Sequence, residues 1–326
     1  MDIEGFRKFL KENHHPDERI NQHIQIIAQF EDFLDSDPSK SNQQPGTENT
    51  QEYISILTVV RKDTYDNIAA LARYGLFTNN RPLYLTALQF VDGGEAMDNL
   101  YTKIAAHVGA SKRDQIFHDL QLPTIGTPVE RRPVIMKTVI ERMQDLLDEQ
   151  TFESILSGSL RTLKDEWYQD GRQKYLECTS LDEYLDRRSI EYIAELEQIR
   201  DEGRLYFNQE ITDEVIEFVR SQPEMARGVR EGNILYAVKI PYMAKEYILE
   251  QDKRMKRYYG CHCPWARDSI INGNETVSPR FCLCSAGFEK KPWEVIFNQP
   301  LQAEVVESVL NGDLRCKFAI HLPDNV

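Results

Sequence analysis

The hydrophobic period of this chain changes near Gly203, and that change limits what it can fold into. Before it, apolar residues recur with helical spacing. Phe6, Phe9 and Leu10 form one stripe, Ile20, Ile24, Ile27 and Phe30 another, and the period resumes over 53–74. After it, short strand-like stretches occupy 204–209 and 233–240. Further on, Leu314, Cys316, Phe318 and Ile320 alternate with Arg315, Lys317 and His321. The pattern predicts an α+β protein: a mainly helical region over 1–205, then a smaller α+β ligand-binding domain over 206–326. An antiparallel C-terminal hairpin should turn at Asn311-Gly312, a pair favoured in type I′ turns, with one face of its last strand buried and one wet.

Local punctuation refines this plan. The polar, proline-containing stretch 35–49 reads as a loop or linker, and 122–133, with three prolines, must be extended or turned. Helices are expected at 133–148, 150–166 and 181–202, the last with Ser180 as N-cap and Glu183 completing a capping box. Beyond Gly203 a helix is expected at 212–220 and a single long one at 241–257, with Pro241 in its first turn. Residues 258–263 should be extended again.

Composition excludes several classes of function. No apolar run approaches a membrane span, and the first 15 residues have no signal-peptide core, so a cytoplasmic location without membrane association is expected. Of the net charge of −14, residues 1–205 carry most, with 24 basic against 36 acidic side chains. An acidic surface repels phosphate backbones, so nucleic acid is not an expected partner. The basic group Lys253, Arg254, Lys256 and Arg257 reads as a solvated helix face. No phosphate loop, dinucleotide fingerprint, nucleophile elbow or H-E-x-x-H motif occurs. The partners that remain are a small-molecule ligand and, at most, a second copy of the chain in a homodimer.

The chemistry points to the cysteines. Five of the six fall in the last 66 residues, four of them as two C-x-C pairs, Cys261-His262-Cys263 and Cys282-Leu283-Cys284. On a strand, residues i and i+2 share a face, so each pair would present two thiols to one point. In a reducing compartment such clusters serve metal binding or catalysis more readily than disulfides. Cys261, Cys263, Cys282 and Cys284 suffice for a zinc ion, with His262 as a substitute ligand, or, less favoured, for an iron–sulfur cluster. Pro264 suits a first helical position, which would put Cys263 at the N-terminus of a short helix, where N–H groups and the dipole favour a thiolate. Cys263 is therefore the leading nucleophile candidate, with His262 or Asp268 as proton carrier. If His262 follows strand alternation, however, it points away from the thiols. A small buried residue at a corner is the plainer account of Cys263. Cys316 and Cys178 read as core packing.

Cys263-Pro264-Trp265-Ala266, followed by a helix and a second cysteine at Cys282 or Cys284, resembles the L-2-amino-thiazoline-4-carboxylate hydrolase family. The segment 301–323, with Gly312, Asp313, Cys316 and Phe318 at matching positions, resembles the 4-vinyl reductase domain. The resemblance covers about 65 residues, from Cys261 to Pro323. The first family implies hydrolysis of a C–N bond in a small cyclic compound. The second implies a small-molecule or metal-binding sensor. No family is identified for 1–205.

Overall fold

The computed structural model describes residues 2–41, 45–273, 276–324 and 326. It is an α+β protein whose described strands all lie from Leu205 onward. The change of period at Gly203 thus marks the change of structure. Two compact units emerge, but neither boundary falls at 205. One comprises 1–94 with 121–132, and the other 95–120 with 133–326. Gly203 lies inside the second unit, because the later helices before it build the same cores as the strands after it. Among the described residues, no helix is long and apolar enough to cross a membrane.

The first unit is helical: Ile3–Glu12, Asp17–Asp35, Pro38–Ser41, Thr47–Val59, Tyr65–Phe77 and Arg81–Val91. Its starts are capped as the side-chain chemistry demands, with Asp2, Thr64 and Asn80 accepting backbone N–H groups of Gly5, Asn67 and Leu83. The expected stripes close on a core of Phe6, Leu10, Ile20, Ile27, Phe30, Ile54 and Leu71. The last two helices of the series meet at Gly75, where a Cβ would stand 2.7 Å from the Tyr84 nitrogen. Part of the 35–49 stretch is helical rather than loop (Pro38–Ser41, and Thr47 onward), and residues 42–44 lie outside the described residues.

Helices Arg132–Leu146 (in the second unit from Pro133 on), Glu149–Ser157 and Leu181–Asp201 match expectation, except that the middle one stops early, at Ser157. Ser180 caps the last of these through the Glu183 N–H, while the Glu183 carboxylate takes the N–H of Thr179, one residue ahead of the expected box. The expected long helix at 241–257 is two, Ala244–Leu249 and Lys253–Gly260. Glu250 breaks it in an extended conformation, and Asp252 caps the second piece. A two-stranded ribbon pairs β1 (Leu205–Tyr206) with β2 (Gln209–Glu210). The main sheet contains β3 (Val229–Glu231), β4 (Ile234–Val238), β5 (Ala303–Glu307) and β6 (Lys317–His321), ordered β3-β4-β6-β5 and antiparallel throughout.

The C-terminal hairpin is present, but its connection is longer than a two-residue turn. It runs from Ser308 to Cys316 through the 3-10 turn Val309–Asn311, with Gly312 at φ 109°. Nor is β6 wet on one face: Phe318, Ala319 and Ile320 are all buried in succession. A strand with neighbours on both edges and helices packed against it loses the alternation expected of an exposed hairpin.

Candidate functional site

Cys261, Cys263, Cys282, Cys284 and Cys316 all pack against one core that includes Ile140, Phe152, Trp265, Phe281 and Leu310. The two C-x-C pairs reach it by routes other than strands. Cys261 leaves helix Lys253–Gly260 in an extended conformation. Cys282 closes the 3-10 turn Pro279–Cys282, and Cys284 lies in the first turn of helix Leu283–Phe297. Residues i and i+2 do not share a helix face, so the strand argument for Cys282 and Cys284 fails. Instead, the second pair lies where the 3-10 turn Pro279–Cys282 runs directly into the 15-residue helix, the Leu283 N–H being bonded back to Arg280.

The same substitution of roles affects Cys263. Pro264 does not open a helix there. Residues 264–268 are turns tied back by the N–H groups of Ala266 and Arg267 to the Cys263 carbonyl, and the helix that follows is the single turn Ser269–Asn272. The helix terminus assigned to Cys263 from the sequence is therefore absent at that residue.

Each of the five sulfurs has a polar neighbour. The N–H of Cys263 serves Cys261, and that of Trp265 serves Cys263, both two residues onward in the chain. The Leu160 N–H reaches Cys284 Sγ at 3.3 Å, with the Ser159 hydroxyl beside it. Ser308 Oγ lies 3.0 Å from Cys282 Sγ, and the Val309 N–H serves Cys316. Cys316, expected to be plain core packing, is therefore part of the cluster.

Cys261 is 5% exposed, and the other four are half-buried. Even so, the surrounding protein is dense enough for desolvation to dominate. Burial pushes the Cys261 thiol up to about 12, with Cys316 adding to it. Burial and the neighbouring Cys261 and Cys284 hold Cys263 well above its ordinary value, against the Trp265 N–H. Cys282, Cys284 and Cys316 are raised by burial in the same way. Burial thus favours the protonated thiols, against the easily ionised Cys263 expected from sequence.

Of the expected proton carriers, His262 stands apart. Its Nε2 lies 2.6 Å from the Ile240 carbonyl, and its ring packs edge-on to Tyr242 and Phe207, at 5.3 and 6.0 Å. Burial, then the Lys239 charge, drives its pKa down to about 3. Asp268 acts on Arg267 and Tyr258. Cations absent from the sequence reading act on the thiols. Lys239 favours the thiolate form of Cys261, Cys284 and Cys316, and Arg267 that of Cys261. Lys239 and the 157–160 segment could not be found by motif, since their link to the cysteines is a long-range contact. The single available signal was the charge of Lys239 at the end of an apolar strand.

Among the described residues, no three His, Cys, Asp or Glu side chains stand in an arrangement ready for one metal ion. The chain matches no family model, no curated protein and no solved structure.

Proposed function

We propose that the cysteine cluster holds a metal centre through thiolates, in a protein of sensor or structural type. The observation that supports it is the packing of five cysteines around one core, with the Leu160 N–H donating to Cys284 Sγ at 3.3 Å and the Ser308 hydroxyl 3.0 Å from Cys282 Sγ. Neutral thiols packed as apolar side chains need no such donors. Metal-bound thiolates are stabilised and tuned by them. Metal binding also displaces the thiol protons that burial otherwise retains.

Two centres share this chemistry. A zinc ion asks for sulfurs at about 2.3 Å from one point, so it would have to draw the thiols inward. An iron–sulfur cluster interposes several atoms between its cysteines and tolerates a wider spread. Cys261, Cys263, Cys282 and Cys284 are the proposed ligands, with Cys316 available as a fifth thiol.

The competing reading, C–N bond hydrolysis with Cys263 as nucleophile, needs an ionised thiol and a base beside it. Burial favours the protonated thiol, and the Nε2 of His262 is committed to Ile240, so the geometry supports that chemistry less well.

The test is anaerobic purification followed by elemental analysis, sulfide assay and absorption spectroscopy. About one zinc per colourless chain, or iron with matching sulfide and visible absorption, supports the reading and distinguishes its two forms. Metal-free protein that takes up neither metal on reconstitution, with one thiol alkylating rapidly at neutral pH, overturns it in favour of catalysis.

A further inference from the structure

Arg267 is 6% exposed, and its buried Nε has no hydrogen-bond partner. Its guanidinium sits over the rings of Tyr242 and Tyr258, 4.6 and 5.3 Å from their centres. Asp268, next in the chain, acts on it electrostatically, yet Nε stays unpaired. Ring faces attract a cation but do not accept its N–H groups as a carboxylate does. A buried donor in this state is costly to keep.

A second irregularity meets the first at Tyr242. The ribbon strands β1 and β2 are joined by the two-residue turn Phe207-Asn208, with φ 44° and 66°. Turns with positive φ at both positions favour asparagine and glycine, and a phenylalanine there is strained. Phe207 is 50% exposed all the same, with its ring 6.0 Å from that of His262, which in turn lies 5.3 Å from the Tyr242 ring. Asn208 Nδ2 stands 3.5 Å from the Tyr242 hydroxyl, at the outer limit of a hydrogen bond. Backbone strain of this kind collects at ligand sites, where the surroundings impose it.

From these two observations we infer that Arg267 anchors the carboxylate of a small organic acid, in a site walled by Tyr242 and Tyr258 and covered by the Phe207-Asn208 ribbon tip. A guanidinium presents its N–H groups in a planar fork that matches a carboxylate, and Nε is the position left open. One guanidinium balances one negative charge, whereas a phosphate dianion would bring a second, unbalanced charge into a buried place. The rings of Phe207 and His262 add flat apolar surface next to Tyr242, which suits an acid with an aromatic body. Strands β1 and β2 have two residues each, so the tip can lift without disturbing the main sheet. The inference does not depend on the cysteines holding a metal.

The test uses the full chain as purified, with 4-fluorobenzoate as the probe and fluorine NMR as the readout. The neutral analogue 4-fluorobenzamide and inorganic phosphate serve as controls. The acid should saturate one site, the amide should bind at least about tenfold more weakly, and phosphate should not displace the acid. Arg267→Lys keeps the charge and loses the planar fork, so it should weaken the acid by about tenfold or more, with folding checked by circular dichroism. Phe207→Gly removes the cover and relieves the turn. It should weaken the acid by about threefold or more while leaving the protein at least as resistant to urea. The inference is overturned if the unaltered protein does not bind the acid, if phosphate displaces it, or if folded Arg267→Lys binds it unchanged. If Arg267→Lys does not fold, the acid–amide difference and the Phe207→Gly affinity decide, and equality in either overturns the inference.

Discussion

The backbone N–H of Leu160 bonds the sulfur of Cys284 at 3.3 Å, across 124 positions of sequence. The contact exists because helix Leu283–Phe297 passes very close to the 157–159 segment at Gly287. A Cβ at that position would overlap the Ser157 carbonyl and stand 2.7 Å from the Ser159 nitrogen. Gly287→Ala must therefore push the helix away from the segment that serves Cys284. We expect a loss of about 1–3 kcal/mol, the usual range for overpacking, in urea denaturation. Metal affinity should fall in the same variant. An unchanged midpoint would mean that the approach is looser than described.

The thiols give a pH signature in metal-free protein. Their folded pKa values are raised above the ordinary 9.0, to about 12 for Cys261. The neutral form is favoured in the fold, so this contribution to stability is intact below pH 9 and is lost as pH rises from 9 toward the folded values. Iodoacetamide labelling of the cluster should be slow at pH 7 and rise about tenfold per pH unit, following the thiolate fraction. Peptide mass spectrometry reads each cysteine separately. Rapid labelling of Cys263 at pH 7 in folded protein would contradict this.

His23 gives the first unit an opposite, acid-side sensitivity. It is fully buried, its Nε2 lies 3.2 Å from an Arg73 nitrogen, and its Nδ1 has no partner. Burial, then Arg73 and His15, lowers its pKa from 6.5 to about 4, with Asp66 opposing. The neutral imidazole is favoured in the fold, so stability is complete above pH 6.5 and declines as pH falls toward 4. The full effect is on the order of 3 kcal/mol. His23→Gln should flatten the stability profile between pH 6.5 and 4. A profile that keeps its slope in that variant would assign the acid sensitivity elsewhere.

Arg132 organises the turns that close the same unit. It is 1% exposed and donates to the carbonyls of Gln89, Phe90, Ile125 and Thr127 at 2.8–3.3 Å. Arg132→Met keeps much of the volume and strands these acceptors. At about 1–3 kcal/mol for each buried group left unpaired, we expect a loss above about 3 kcal/mol in thermal or urea unfolding. A loss below about 1 kcal/mol would show that water replaces the guanidinium freely.

The helical part was legible because Phe6, Leu10, Ile20, Ile27 and Phe30 repeat at the period of the helix they build. That Cys261, Cys263, Cys282 and Cys284 line one core was suggested by the sequence for a partly wrong reason. The spacing suggested strand faces, whereas Cys284 is helical and Cys263 lies before turns. Cys316 was misread because its place in an apolar alternation is the same whether it packs or takes part in a site. Leu160 and Arg267 carried no local sign, and Lys239 only its charge at the end of an apolar strand, since what matters about them is which distant side chain they influence. Local propensity fixes elements, and only the tertiary fold fixes neighbours.

The sheet order carries a consequence for how the chain assembles. β6, at residues 317–321, is central, and β5 touches neither β3 nor β4. During synthesis, the β3–β4 ribbon and β5 must wait as unjoined edges until the segment that bridges them has been made. Cys316 immediately precedes that segment, so the completion of the sheet and the arrival of the fifth thiol are one event. Until then the cysteines made earlier remain exposed to oxidants and stray metals, and vectorial synthesis sets how long that interval lasts.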